Sequence, residues 1–415
     1  MRVFMLSWEY PPKIVGGIAR HVQDLSRALS KAGHEITVFT SETPNIPSVR
    51  NDYQVRVHCV PNQTPPSMDF LTWVLHLNFS MVSAAIPLMN DSLPDIIHVH
   101  DWLTMYAGRV LKFAYKVPLV GTIHATEYGR NNGLHTSLQR YISDMEWTLA
   151  YDSWKVICCS REMQQEIRNI FQVPEDKLKV IPNGVDSSNF KRMANLRRSN
   201  YAADQEKIVF FIGRLVREKG VSVLLEAVPL VLAAYPAVKF VISGTGPLSE
   251  ILHARAKDLN IYHRIFFTGF IDDPERNFLY RVADVSVFPS LYEPFGIVAL
   301  ESMAAGTPVV VSDTGGLSSI VKHGLNGLKS YAGDPRSLAD NIVWALEHPG
   351  EMTKMAQKAR REVKTIYNWD NISSRTLAVY QQVTQEYQKS DWKPYRNFAN
   401  RHYPSQGAYV VSELQ

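Results

Sequence analysis

The chain has 415 residues, a length that predicts two to three domains. Hydrophobic residues make up 45% of it and charged residues 20%, proportions that are typical of a soluble globular enzyme and exclude a disordered or fibrous chain. Its 44 basic and 40 acidic side chains leave a net charge of +4, an excess too small to indicate nucleic acid as the main partner.

The first half of the chain alternates strand-like and helix-like patterns. Residues 2–7 predict a short buried strand, and apolar residues then recur at helical spacing over 18–29, with Gly33 as the stop signal. The further strands predicted in this half are 35–40, 53–60, 95–100, 117–124, 155–160 and 177–182. Strands separated by helices are typical of βαβ units around a parallel sheet.

Residues 70–89 form an apolar stretch long enough to span a bilayer. His76 and Asn78 lie within it and no cluster of basic residues flanks it, so we expect a partly buried helix of a soluble domain, with a helix lying on a membrane surface as the alternative. The apolar run at the N-terminus is too short for a secretory signal. The chain has three cysteines, of which Cys158 and Cys159 are adjacent, a usage that favours a reducing compartment. We therefore expect a cytoplasmic protein without stable membrane insertion.

The second half repeats the alternation. Its predicted strands are 207–213, 238–244, 264–270, 285–289 and 308–312, with helices between them such as 221–234 and 335–347. Apolar periodicity lapses over 186–205, which is polar and rich in turn formers and places a domain boundary there. We predict an N-terminal domain over 1–190, a C-terminal domain over 191–365, and a helix and tail over 366–415 that pack back on the N-terminal domain.

This pattern predicts an α/β protein with two doubly wound, Rossmann-like domains in tandem. Such sheets bind ligands at the carboxyl ends of their strands. In a tandem pair these edges can face each other across a cleft, an arrangement that suits two substrates that must meet.

The strongest chemical signal lies where a predicted strand runs into a loop and then a helix. Glu293 is in the loop, Gly296 opens the helix, and Glu301 follows inside it. The free N–H groups and the positive dipole end at a helix start bind anions, and carboxylates bind vicinal hydroxyls. The spacing therefore suggests a phosphorylated sugar ligand, although two helix-stabilising acids fit the same pattern equally well.

A second signal follows the strand 207–213. The segment 213–220 begins with Gly213, and its Arg214 and Lys219 could clamp a diphosphate, Arg as a fork and Lys as a point charge. A solvated turn is the alternative for this segment alone. Gly244 ends the neighbouring strand, and glycines at such edges let a ligand approach the backbone closely.

In the first half, Gly16 and Gly17 follow the first strand and precede a helix. They do not form a GxGxxG fingerprint, which argues against a dinucleotide site. The pair could let backbone amides reach a phosphate from the opposite side of the cleft, and a tight strand-to-helix turn is the equal alternative.

Polar and aromatic residues also end two strands of this half. Asp101 and Trp102 follow the predicted strand 95–100. His124 ends the predicted strand 117–124, and Glu127 comes shortly after it. Histidine and aspartate together invite a metal site, but a structural histidine is commoner, so we expect no metal. The same residue types suit a carbohydrate cleft.

Together these residues make the chain resemble the retaining GT-B glycosyltransferases of families 4 and 5, the group that includes bacterial glycogen and starch synthases. The resemblance covers residues 1 to about 383. The motifs that carry it are SWEYPPKIVGGIARHV at 7–22, HVHDW at 98–102, TIHATEYG at 122–129, VIPNGVD at 180–186, GRLVREKG at 213–220, the pair of glutamates at 293 and 301, and DTGGL at 313–317.

The resemblance implies a nucleotide-sugar donor held by the second domain and a carbohydrate acceptor held by the first. Arg214 and Lys219 match the diphosphate clamp, Glu301 the ribose carboxylate, and Glu293 the carboxylate on the transferred sugar. The backbone of Phe295, Gly296, Ile297 and Val298 matches the site of the distal phosphate. His124 matches the active-site histidine, and Gly16 and Gly17 match the glycine pair beside the phosphate. Asp101, Trp102 and Glu127 are acceptor-side candidates.

The resemblance further implies front-face transfer with retention, in which the leaving phosphate accepts the acceptor's proton, and it implies neither a metal nor another cofactor. Lys13 departs from the glucan-synthase pattern, because two residues rather than one separate it from Gly16, so the resemblance gives it no secure phosphate role. We expect glucosyl transfer from ADP- or UDP-glucose to an α-glucan or a small glucosyl acceptor. The alternatives are transfer to a lipid-linked or other sugar, and a sugar-nucleotide-binding protein without catalysis. A phosphorylase or epimerase would share the fold, and a homo-oligomer stays open.

Overall fold

The computed structural model describes residues 1–65, 67–190 and 196–393. The strands of its first half are β1 (Arg2–Leu6), β2 (Glu35–Ser41), β3 (Val49–Asp52), β4 (Val55–Val60), β5 (Ile96–His100), β6 (Leu119–Ile123), β7 (Lys155–Cys158) and β8 (Leu178–Val180). They form one sheet in the order β3-β4-β2-β1-β5-β6-β7-β8. Every described pair is parallel except β3 with β4, so this is a doubly wound sheet with an antiparallel edge.

Helices cover both faces of this sheet, as continuous apolar strands require. They are α1 (Gly17–Lys31), α2 (Phe70–Asp91), α3 (Met105–Tyr115), α4 (Glu127–Asn131), α5 (Ser137–Asp152) and α6 (Arg161–Phe171). The helical spacing predicted over 18–29 is the buried face of α1, where Val22, Leu25 and Leu29 pack under the sheet. A complete capping box, formed by Thr136 and Gln139, fixes the start of α5.

The second sheet is entirely parallel. Its strands are β9 (Lys207–Ile212), β10 (Val238–Ser243), β11 (Ile265–Gly269), β12 (Val285–Phe288), β13 (Val309–Ser312) and β14 (Leu328–Ser330), in the order β11-β10-β9-β12-β13-β14. The helices of this half are α7 (Val221–Ala234), α8 (Ser249–Asp258), α9 (Asp273–Val282), α10 (Ile297–Ala305), α11 (Gly315–Ile320), α12 (Pro335–Glu347), α13 (Pro349–Ile366) and α14 (Trp369–Lys389). The prediction of two Rossmann-like α/β units is confirmed.

The last helix returns to the first unit. Tyr380 of α14 lies in the same buried apolar cluster as Val3 and Val22, and its hydroxyl lies 2.7 Å from Nδ1 of His98. An ion pair of 2.9 Å joins Lys155 of β7 to Glu386 of α14. The boundaries 1–190, 191–365 and 366–415 stay predictions, and the part of the tail from 394 to 415 lies outside the described residues.

The apolar stretch at 70–89 is a helix, α2. Among the described residues it is the helix that could cross a membrane by length and composition, with a mean hydropathy of 1.4 over its most apolar window. Only 28% of that window is buried, and Phe79 is 76% exposed. Its inner face nevertheless packs in the core of the first unit through Leu77, Met81 and Ala85. Length and composition alone are weak grounds for a membrane span, because core helices of soluble proteins share them.

We expect the protein to stay in the supernatant after high-speed centrifugation without detergent, because Asn78 in the middle of α2 is buried and bonded to the carbonyl oxygens of Val74 and Leu103 inside the protein. The measurement is the distribution of the expressed chain between supernatant and pellet. Recovery only in a membrane pellet that resists high salt would contradict the soluble interpretation and favour an α2 that binds lipid.

Candidate active site

The loop from Gly213 to Gly220 follows β9 at the carboxyl edge of the second sheet. It packs tightly against the end of β10: a Cβ atom at Gly244, where φ is +131°, would lie 1.9 Å from the carbonyl oxygen of Gly213. Only glycine fits there. On its other side, the N–H of Leu291 donates to the carbonyl of Glu218 over 2.8 Å. The loop is therefore held between β10 and the segment that carries Glu293.

Lys219 and Glu293 meet in this edge. Nζ of Lys219 lies 2.6 Å from Oε2 of Glu293, and the Ser290 hydroxyl donates to the same oxygen over 3.1 Å. The Glu293 residue is only 6% exposed. Arg214 reaches Glu218 over 3.2 Å and its side chain is 49% exposed. The lysine is thus tied to the carboxylate of Glu293, while the arginine faces solvent at the rim of the loop.

The helix that follows Glu293 begins as predicted. Gly296 is the N-cap of α10 with φ +106°, a conformation that favours glycine. The N–H groups of Ile297 and Val298 belong to the first turn of α10, and N–H groups of a first turn have no acceptor within their own helix. Phe295 is buried and its ring packs 6.2 Å from that of Tyr367, so only its backbone can face a ligand. This helix start can bind an anion.

Glu301 lies in α10 and is 7% exposed. The Tyr280 hydroxyl donates to its Oε2 over 3.0 Å, and Nη1 of Arg276 lies 3.6 Å from its Oε1. Sequence reasoning missed both partners. Their spacing of four residues on α9 places them on one helix face and is the signal that could have found them.

The two units face each other at these elements. A Cβ atom at Gly17 would lie 3.0 Å from Cδ1 of Ile297, so the first turn of α1 stands directly opposite the start of α10. The N–H groups of Val15 and Gly16 donate to Oε2 of the buried Glu9 over 2.6 and 2.9 Å. The pKa of Glu9 is raised above its usual value, because the effect of burial exceeds the opposing effect of these N–H groups. The amide of Gly16 is therefore engaged by Glu9, and a phosphate contact from this pair stays a prediction.

Further contacts join the units. The Tyr292 hydroxyl donates to Oε1 of Glu166 over 2.9 Å and accepts from the N–H of Thr126 over 3.3 Å. Arg20 of α1 donates to Asp273 of α9 over 2.9 Å. None of these contacts was predicted, because pairs more than 120 positions apart leave no local pattern in a sequence.

Four histidines gather at the carboxyl ends of β5 and β6. His124 Nε2 lies 3.2 Å from His100 Nδ1, and the His21 ring centroid lies 4.8 Å from that of His124. His98 is satisfied on both ring nitrogens by Tyr380 and Thr122 at 2.7 Å each, which makes it a structural histidine. Burial lowers the pKa of His124 to about 3, with help from Arg130. These imidazoles are neutral at physiological pH.

Three of them, His21, His100 and His124, offer nitrogens that all lie within 4.8 Å of one another. Two ligands of a tetrahedral zinc ion, each about 2.0–2.1 Å from it, are roughly 3.3 Å apart, so the spread is wide for such a site. The absence of a metal stays a prediction.

Comparisons with known proteins identify the family. The model "Glycosyl transferases group 1" matches residues 193–362 and the model "Glycosyltransferase Family 4" matches residues 15–189. An uncharacterised glycosyltransferase of Methanocaldococcus jannaschii is 40% identical over 92% of this chain and 98% of its own. A glycogen synthase of Mycobacterium tuberculosis is 34% identical over 92% of this chain and 94% of its own. The chain belongs to the GT-B glycosyltransferases.

Among solved structures, the glycosyltransferase resembles a sucrose-phosphate synthase from Thermosynechococcus elongatus. The TM-score is 0.79 and the identity 25%, over 93% of this chain and 99% of that one. The predicted family and fold are confirmed. The roles of the individual site residues stay predictions, and the geometry says which of them meet.

The three acceptor-side candidates of the glycosyltransferase differ in their surroundings. Asp101 stands beside His124, and the backbone N–H of His124 donates to Oδ1 of Asp101 over 2.7 Å. Trp102 is 5% exposed and packs against the ring of Phe70 at 6.1 Å, so its indole offers little surface to the reacting sugar. Glu127 begins α4 and accepts from the amide of Asn131 over 2.9 Å.

We predict that Asp101 makes the stability of the enzyme depend on pH. Burial raises its pKa from 3.8 to about 6, against the opposing effects of Arg130 and the His124 N–H. The folded state therefore holds a proton that the unfolded chain loses near pH 4, and the free energy of unfolding should fall as the pH rises from about 4 to 6. Asp101→Asn, which keeps an acceptor for His124, should remove this part of the fall.

The measurement is denaturant unfolding of both proteins across that pH range. Asp24, whose pKa burial also raises to about 6, titrates in the same window, so the difference between wild type and variant is the quantity to compare. Parallel pH profiles for the two proteins would contradict a raised Asp101 pKa.

Proposed function

We propose that the enzyme transfers a glucosyl unit from ADP- or UDP-glucose to an α-glucan or a small glucosyl acceptor, with retention and without a metal. The observation that carries the proposal is the contact of 2.6 Å between Lys219 and Glu293 at the start of α10. This contact places Lys219, a cation that would bind the diphosphate, next to Glu293, a carboxylate that would bind the transferred sugar. The 34% identity to a glycogen synthase supports the glucosyl donor and the glucan.

Each part of the site has a role in this reaction. Lys219, Arg214 and the N–H groups of Ile297 and Val298 would bind the diphosphate and stabilise the charge that grows on it as it leaves. Glu301 would bind the ribose. Glu293 and His124 would bind hydroxyls of the transferred glucose.

The bond changes occur on one face of the sugar. The bond from the anomeric carbon to the diphosphate oxygen breaks, and the acceptor oxygen bonds to the same carbon from the same side. The acceptor hydroxyl gives its proton to the departing diphosphate, so no side chain is needed as a base. His124 is neutral and serves by hydrogen bonding, since burial holds its pKa far below physiological pH.

The test has two steps. Thermal unfolding is followed with ADP-, UDP- and GDP-glucose, because a ligand at a hundredfold excess over its dissociation constant adds about 2.7 kcal/mol to stability. Transfer is then measured in excess EDTA to glycogen, maltooligosaccharides and small glucosyl acceptors, and the anomeric configuration of the product is read by NMR. Inversion at the anomeric carbon would refute retention, and loss of activity in EDTA would refute transfer without a metal. Binding of the nucleotide-sugar with neither transfer to an acceptor nor hydrolysis would refute the enzymatic activity.

Transfer to a lipid-linked acceptor is a second candidate, and one observation favours it. The outer face of α2 exposes Leu75, Phe79 and Ile86, which could lie on a membrane. Activity on lipid-linked sugars but on none of the soluble acceptors would select this candidate.

A further inference from the structure

A cavity of about 440 Å³ opens on the first unit beside the loop that carries Gly16. Its walls come from the segment after β1, the segment before α2, and the first turn of α2. The residues that bear on its chemistry are Trp8, Lys13, Thr64, Asp69, Phe70 and Trp73. None of the roles assigned above to the donor site uses them.

Three aromatic rings shape this cavity. The rings of Phe70 and Trp73 are nearly parallel, 7° apart in plane, with centroids 6.1 Å apart. The rings of Trp8 and Trp73 stand at 90° with centroids 6.2 Å apart, so they form a corner. A pyranose ring presents an apolar C–H face and a rim of hydroxyls, and flat aromatic walls suit that face.

Polar groups border the same walls. Nζ of Lys13 lies 5.3 Å from the Trp73 centroid and donates to Oγ of Ser41 over 2.9 Å. An ammonium group has three protons, so two remain for a ligand. The carboxylate of Asp69 caps α2 by accepting from the N–H of Thr72, and a carboxylate can accept further hydrogen bonds. Donor and acceptor groups thus stand where sugar hydroxyls would lie.

The cavity is built rather than incidental. The side-chain amide of Asn62 donates to the carbonyl of Trp73 over 3.0 Å, which ties the segment before α2 to the first turn of that helix. The N–H of Thr64 donates to Oδ1 of Asn62 over 3.2 Å and extends this tie to the cavity wall. The walls are therefore formed before any ligand binds, which lowers the entropic cost of binding.

Its position links the cavity to the reaction site. Trp8 precedes Glu9, the carboxylate that holds the Gly16 loop, and Phe70 contacts Trp102, the neighbour of Asp101. Nζ of Lys13 lies over the rings of both tryptophans, 5.9 Å from the Trp8 centroid and 5.3 Å from the Trp73 centroid. The cavity therefore borders the segment that carries Glu9, and its Phe70 wall packs against Trp102, the residue next to Asp101.

We infer that this cavity is a subsite for a glucosyl unit of an oligosaccharide acceptor, at a distance from the unit that reacts. The inference rests on the proposed function and narrows its acceptor to an α-glucan chain. A single glucosyl acceptor held at Asp101 and His124 would leave the cavity unused.

The test compares Trp73→Ala and Phe70→Ala with Phe79→Ala, which removes an aromatic ring from the exposed face of the same helix. Loss of one stacking ring should raise the KM for long maltooligosaccharides about tenfold. The KM for the donor and the KM for a single glucosyl acceptor should not change. Phe79→Ala should match the wild type throughout, and Trp73→Phe should recover most of the loss.

A second readout needs no donor. Electrophoresis in a gel that contains glycogen should retard the wild type and Phe79→Ala but not Trp73→Ala. If both cavity variants behave like Phe79→Ala in both assays, the subsite is refuted. If the wild type transfers glucose only to small acceptors and glycogen does not retard it, the subsite is refuted while the proposed function stands. If no glucosyl donor is bound or consumed, the proposed function fails, and the cavity is refuted as an acceptor subsite whatever the gel shows.

Discussion

Lys219→Ala should reduce kcat/KM for the nucleotide-sugar donor by about 10²- to 10³-fold, the loss typical when one preorganised electrostatic group is removed from a developing negative charge. The variant loses the cation that we propose binds the diphosphate. It also leaves the carboxylate of Glu293, whose residue is 6% exposed, without its charged partner at 2.6 Å. Both losses act on the transition state, so turnover should fall as well as affinity. Steady-state kinetics with the donor varied measures the effect.

Two comparisons make the result specific. Lys354→Ala removes an exposed lysine of α13 in the same domain and should leave the kinetics unchanged. Arg214→Ala should also reduce kcat/KM for the donor. The side chain of Arg214 is half-exposed at the rim of the loop, so we expect it to contact the diphosphate only when the donor is bound. Wild-type turnover in a folded Lys219→Ala or Arg214→Ala enzyme would remove that residue from the proposed clamp.

The repeating pattern of the chain predicted most of the fold. Every strand expected from apolar runs is a strand, and the helices predicted over 221–234 and 335–347 have those bounds in α7 and α12. Both missed strands lie at sheet edges. β3 reads VRND and pairs antiparallel on the outermost position, and β14 has three residues. Edge strands are short and polar, so hydrophobic periodicity does not reveal them.

The placement of the candidate site residues was predictable where it follows from strand ends. Lys219, Glu293 and Gly296 all follow strands of one parallel sheet, and such ends share an edge. The approach of Tyr292 to Glu166 depends on how the two units pack, which no local pattern encodes. The direction of the Lys13 side chain depends on the position of Trp73, some 60 residues later in the chain. The sequence alone therefore showed only that the spacing between Lys13 and Gly16 is unusual.

The two buried glutamates should respond differently to loss of charge. Glu301→Gln should raise the donor KM about 10- to 100-fold, the cost of one charged hydrogen bond, and should lower kcat less, because the ribose does not react. Glu293→Gln should mainly lower kcat, by about 10²-fold, because positive charge develops on the sugar ring near this carboxylate.

The surroundings of each carboxylate support that division. Glu301 is held by Tyr280 and Arg276 within its own domain, as a fixed ribose contact would be. Glu293 is paired with Lys219, so its charge is coupled to the group proposed to bind the leaving diphosphate. Glu347→Gln, at the exposed end of α12, is the matched control and should change neither parameter. Because a uniform binding role raises KM and a transition-state role lowers kcat, measuring both parameters for all three variants assigns the roles. Unchanged kcat in Glu293→Gln, or the reverse pattern between the two variants, would show that the ribose and sugar roles are assigned to the wrong carboxylates.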